Sequence, residues 1–106
     1  MSKAGRYGLA LAAAILLAGA LSYAQNGAAV YKAKCQSCHG PAGIPNPAIA
    51  KAMGVKPVTD PAVKKATEAE MIKATENGMG KMQPFKGKIS DADIKSSVQY
   101  FRSLVK

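Results

Sequence analysis

Both cysteines of this chain and its only histidine fall within five consecutive positions, inside Lys34–Gly40, KCQSCHG. Three chemistries suit such a cluster. A thiol–disulfide pair usually follows a strand and sits at a helix start that lowers its thiol pKa. Here the preceding segment, Gly27 to Lys34 (GAAVYKAK), is rich in helix formers and shows no strand pattern. A structural zinc ion wants four ligands, commonly in two separated pairs. Cys35, Cys38 and His39 are three, so a carboxylate would have to complete that set. C-x-x-C-H is also the covalent attachment signal for haem. The two thiols add across the vinyl groups on one porphyrin edge, and the residue after the second cysteine then lies beneath the iron. On this reading Cys35 and Cys38 hold one haem c, and His39 is the proximal iron ligand.

The N-terminus agrees. Lys3 and Arg6 precede an uncharged apolar run from Tyr7 to Leu21, and Ser22-Tyr23-Ala24 places small residues where a signal peptidase inspects them. Residues 1–24 therefore read as a signal peptide cleaved after Ala24, and residues 25–106 as the functional domain. No twin arginine is present, so the route is Sec-type export to the periplasm, outside the cytoplasm, where haem is attached. The rival reading is a retained anchor, since Tyr7 to Ala24 just reaches spanning length. Leu17-Ala18-Gly19-Ala20 resembles a lipobox, but Ala20 stands where the lipidated cysteine would be.

Residues 25–106 are 82 in number, a size at which a core usually needs a staple. A Cys35–Cys38 disulfide would close a tiny loop and constrain little, whereas a porphyrin would supply an apolar centre. This segment keeps 13 of the chain's 15 lysines and arginines and all six acids, a net charge of +7. Nucleic acid, membrane surfaces and acidic proteins all suit that charge, and export excludes the first.

Helix signals are plentiful and sustained alternation is missing, so the fold class is all-α: small helices and long loops wrapped around one haem. His39 to Pro61 is loaded with Gly and Pro and reads as loop, with a short helix around Ala48 to Met53. Thr59-Asp60-Pro61 caps another helix. Thr67-Glu68-Ala69-Glu70 is a capping-box pattern, and Asn77-Gly78 closes that helix. Ser90-Asp91-Ala92-Asp93 opens the last one, whose Ile94, Val98, Phe101 and Val105 form a single apolar stripe.

One histidine excludes bis-histidine ligation within the chain, and methionine is the usual alternative partner, which raises the reduction potential. Met71 sits in a capped helix and reads as core packing; Met53 reads as a pocket wall. Met79 and Met82 both lie in the irregular segment Gly78 to Ile89, and either suits the iron. Asn77-Gly78-Met79-Gly80-Lys81-Met82, then Pro84, Phe85, Lys86-Gly87-Lys88 and a final helix, resembles the small bacterial class I c-type cytochromes. Those proteins carry N-G-x-G-x-M-P-x-F before the C-terminal helix, and the resemblance implies Met82 as the distal ligand. Gln83 departs from the pattern by separating Met82 from the proline, which leaves Met79 as a rival.

The resemblance covers nearly all of residues 25–106. It implies that an N-terminal helix crosses the C-terminal one through Gly27 and Tyr31, against Tyr100, with Ser97 replacing a usual apolar residue. It implies further that a proline carbonyl, from Pro45 or Pro47, orients His39. The expected function is a periplasmic single-electron carrier with a low-spin His/Met haem, not an enzyme, monomeric, and free of nucleic acid. Lys32, Lys34, Lys81, Lys86 and Lys88 flank the two haem-binding segments and would steer redox partners with acidic docking surfaces. An uncleaved signal would instead make a membrane-tethered subunit of a respiratory complex. A methionine that does not ligate would leave an open-iron sensor or peroxidase.

Overall fold

Helices from opposite ends of the domain meet at a glycine. The computed structural model describes residues 26–105, so the export signal inferred above lies outside the described residues. The first helix, α1, covers 26–34, and the last, α6, runs Asp91–Leu104. A Cβ placed on Gly27 would lie 2.4 Å from the carbonyl oxygen of Ser96, so only glycine lets the two backbones approach this closely. One turn on, Tyr31 is 2% exposed, with its ring 5.2 Å from Tyr100 and 6.1 Å from Phe101. The residue against Gly27 is Ser96 rather than Ser97. Both hydroxyls are buried, and both are satisfied within α6: Ser96 donates to the Ala92 carbonyl and Ser97 to that of Ile94, each at 2.8 Å. The two buried serine hydroxyls therefore leave no unpaired donor at the crossing.

Along α6, Ile94 and Val98 are buried and Phe101 and Val105 half-buried, as the stripe requires. Ser90 caps the helix by accepting from the Asp93 amide at 3.1 Å. The helix α5, Glu68–Asn77, packs on α6 and begins with the full capping box, Thr67 and Glu70 exchanging bonds of 3.1 Å. Between these ends lie three short helices, α2 (Gln36–His39), α3 (Pro47–Met53) and α4 (Pro61–Lys65). Asn46 caps α3 and Asp60 caps α4, each with proline in the first turn. Among the described residues there is no strand, only isolated bridges at Met79–Met82 and Lys86–Ile89. The chain is all-α, and its connecting loops curve around a cavity rather than a continuous core.

Candidate cofactor site

Cys35 occupies a turn that joins α1 to α2. Its amide donates to the Tyr31 carbonyl at 2.9 Å, and its own carbonyl accepts from the amides of Cys38 and His39 at 3.2 and 3.0 Å. Helical winding thus carries through the motif, and positions three apart share a face. Cys35, Cys38 and His39 all line one cavity of about 950 Å³, near the upper end of the usual ligand-pocket range of about 300–1,000 Å³. Its other walls are largely apolar: Ala52 and Met53 at the end of α3, Val63 of α4, Met71 and Ala74 of α5, then Phe85 and Phe101.

His39 meets Phe101 edge-on, with ring centroids 5.4 Å apart. Burial lowers its pKa, so the imidazole is held neutral, the form that binds a metal. Its Nδ1 is buried with no hydrogen-bond partner. Neither Pro45 nor Pro47, the carbonyls that the sequence offered, accepts from it here. The neighbouring loop is fixed instead by Tyr31, whose hydroxyl donates to the Gly40 carbonyl at 2.6 Å. A buried polar atom without a partner is uncommon, and it fits a ring whose environment is completed by a bound group.

The Cys35 thiol is not activated as a redox switch requires. Burial, and then the neighbouring Cys38, push the Cys35 thiol up to about 11, whereas a thiol–disulfide catalyst needs its thiol lowered. Nor does a zinc set form: among the described residues no three His, Cys, Asp or Glu side chains converge as a metal site.

Met79 and Met82 face each other across a two-residue hairpin, each amide donating to the other's carbonyl at 3.2 and 2.9 Å. Directly opposed residues project from one face of a hairpin, and both side chains line the cavity. They differ in enclosure: Met79 is 71% exposed and Met82 half-buried. Gly78 makes this turn possible. Its φ is +78°, and a Cβ there would lie 2.7 Å from the Met82 carbonyl oxygen. Gln83, the departure from the family pattern, is exposed and accepts from Lys88 Nζ at 3.0 Å. Two residues later buried Phe85 donates its amide to the Thr75 carbonyl at 2.9 Å. Phe85 thus stands three residues after Met82, as in the family pattern, and only the proline is displaced, by one position.

Of the five lysines that the sequence singled out, Lys34 and Lys81 line the cavity; Lys32, Lys86 and Lys88 are exposed but do not line it. Lys51 and Lys56, which sequence reasoning passed over, do line it, with Glu70 the one carboxylate in the wall. Both lie in or just after α3, in a Gly- and Pro-rich stretch that gave no sign of what it would pack against.

A family model described as cytochrome C oxidase, cbb3-type, subunit III matches residues 22–101. The chain belongs to this cytochrome c family. It is similar to the KustC0563 c-type cytochrome, a solved structure with 27% identity and a TM-score of 0.67; the match covers 76% of this chain and 98% of that one. No curated protein matches. The chain is thus a small monohaem c-type cytochrome of class I, with one covalently bound haem c and its iron, and it serves electron transfer. Its own residues suit that group: two helix-spaced thiols, a neutral half-buried imidazole, a thioether hairpin and a largely apolar cavity of sufficient volume.

Proposed function

We propose that this cytochrome is an exported single-electron carrier in which Cys35 and Cys38 form the thioethers, His39 is the proximal ligand and Met82 the distal one. The observation that carries the reading is the convergence of all four on one apolar cavity. Haem c supplies a reversible one-electron couple when bound. The polypeptide tunes and flanks it: a His/Met ligand pair raises the potential, and apolar side chains of α3, α4 and α5 line the cavity. Met82 is chosen over Met79 because its side chain is the more enclosed of the two. With His39 and Met82 in place, no iron position is left for a substrate, so the protein carries electrons and is not an enzyme.

The exposed side of the cavity is basic. Lys34, Lys51, Lys56 and Lys81 surround it, and such a field raises the encounter rate with an acidic redox partner without requiring tight binding. The carrier acts as a monomer in the periplasm after removal of residues 1–24. Among the described residues no helix is long and apolar enough to cross a membrane.

Potentiometric titration of the secreted holoprotein tests the reading. One reversible single-electron wave, together with ferrous protein that does not bind carbon monoxide promptly, is the expected result. Prompt carbon monoxide binding by the native ferrous protein would make it an open-iron sensor or peroxidase instead.

A further inference from the structure

The methionine hairpin is fastened to the rest of the fold by its own lysine. Lys81 Nζ donates to the Ala52 carbonyl at 2.6 Å, across 29 residues of sequence. Ala52 lies in the last turn of α3, where carbonyls have no onward helical donor. The Gly54 amide closes that end of the helix on Ala50, so the Ala52 carbonyl is open to Lys81. An ammonium group at a helix C-terminus is favoured by the dipole as well.

The other described hydrogen bonds of the segment 79–83 are local: the two between Met79 and Met82, and the one from Lys88 to Gln83. The anchors on α5, Phe85 to Thr75 and Lys86 to Glu76, come only after Pro84. Lys81 is therefore the hydrogen-bonded tie from the hairpin to another element, and both of its ends line the cavity. We infer that Lys81 is a positioning residue: it straps the Met82 hairpin to α3 and holds the Met82 thioether over the cavity. Its ammonium is held at the end of α3, whereas among the described residues no hydrogen bond is formed by the side chains of Lys34, Lys51 and Lys56. As a statement about ligation the inference rests on Met82 being the distal ligand; as a statement about the hairpin it does not.

The test compares holoprotein carrying Lys81→Met, which keeps the aliphatic stem and loses the donor, with Lys86→Met, which removes the same charge from a lysine outside the cavity wall. Imidazole binding to the ferric protein at pH 8 reads out departure of Met82. Its ligand is largely neutral at that pH, so electrostatic steering does not enter. Losing an exposed charge-assisted bond speeds binding about three- to tenfold in Lys81→Met. Lys86→Met should match the unsubstituted protein, and Lys81→Arg, which restores a donor, should recover most of the original rate. Equal rates in Lys81→Met and the unsubstituted protein, or equal acceleration in Lys86→Met, would overturn the strap. The far-red ferric band of the unsubstituted protein reports independently on methionine ligation. Should that band be missing, amide exchange at Met79 and Met82 decides the strap: faster in Lys81→Met upholds it, unchanged rejects it.

Discussion

A Cβ on Gly27 would sit 2.4 Å from the Ser96 carbonyl oxygen and 3.4 Å from the Tyr100 Cβ, so the first and last helices touch through a missing side chain. This contact closes the fold on the side that carries the C-x-x-C-H motif. Gly27→Ala must push the helices apart, at a cost of about 1–3 kcal/mol of stability. The guanidinium chloride midpoint of the holoprotein should fall with its slope unchanged. A midpoint equal to that of the parent would show that the crossing has slack that the contact distance denies.

Tyr31 gives a second test, with a defined pH window. Its hydroxyl holds the Gly40 carbonyl directly after His39, so Tyr31→Phe should cost about 1 kcal/mol and leave the haem spectrum unchanged. Burial first, then Cys35 and Tyr100 nearby, raise its pKa from 10.0 to about 12. A folded-state pKa above the unfolded value means that the phenol's contribution is complete below pH 10 and is lost as pH rises through 12. The stability difference between parent and Tyr31→Phe should therefore shrink across that interval. A difference constant from pH 8 to 12 would contradict the burial of the phenol.

The basic rim should act on rate rather than on affinity. Reversing charge at Lys51→Glu and Lys56→Glu together should slow electron exchange with an acidic redox protein by about tenfold at low ionic strength. The two curves should converge as salt rises, because the Debye length falls to about 3 Å at 1 M. Equal rates at low salt would mean that partners approach elsewhere.

The capping box offers a control away from the cofactor. Thr67→Ala removes the acceptor of the Glu70 amide and should lower stability by about 1 kcal/mol, with the reduction potential unmoved. A shifted potential would mean that α5 transmits strain to the haem.

Much of this was legible in the residues because local chemistry dictates it. Ser90, Thr67 and Asp60 cap helices through their own side chains, and a cap needs only three or four neighbouring positions. C-x-x-C-H is likewise complete within five residues. The unread parts are long-range. Lys51, Lys56 and the bond from Lys81 to Ala52 depend on how α3 meets a hairpin about 30 residues later, and neither segment alone encodes that. Ser96 rather than Ser97 faces Gly27 because the rotation of α6 about its axis is set by packing of Ile94 and Val98. The proline carbonyl expected at His39 failed for the same reason: a Gly- and Pro-rich loop specifies turns, not where a carbonyl finally points.

The central claim, a His39/Met82 carrier, is tested most directly by the ferric absorption spectrum of the secreted holoprotein beside those of Met82→Ala and Met79→Ala. The account predicts a weak far-red methionine–iron band in the parent, kept in Met79→Ala and lost in Met82→Ala. A band that survives Met82→Ala but disappears in Met79→Ala would contradict the ligand assignment. A parent with no such band would contradict the carrier itself.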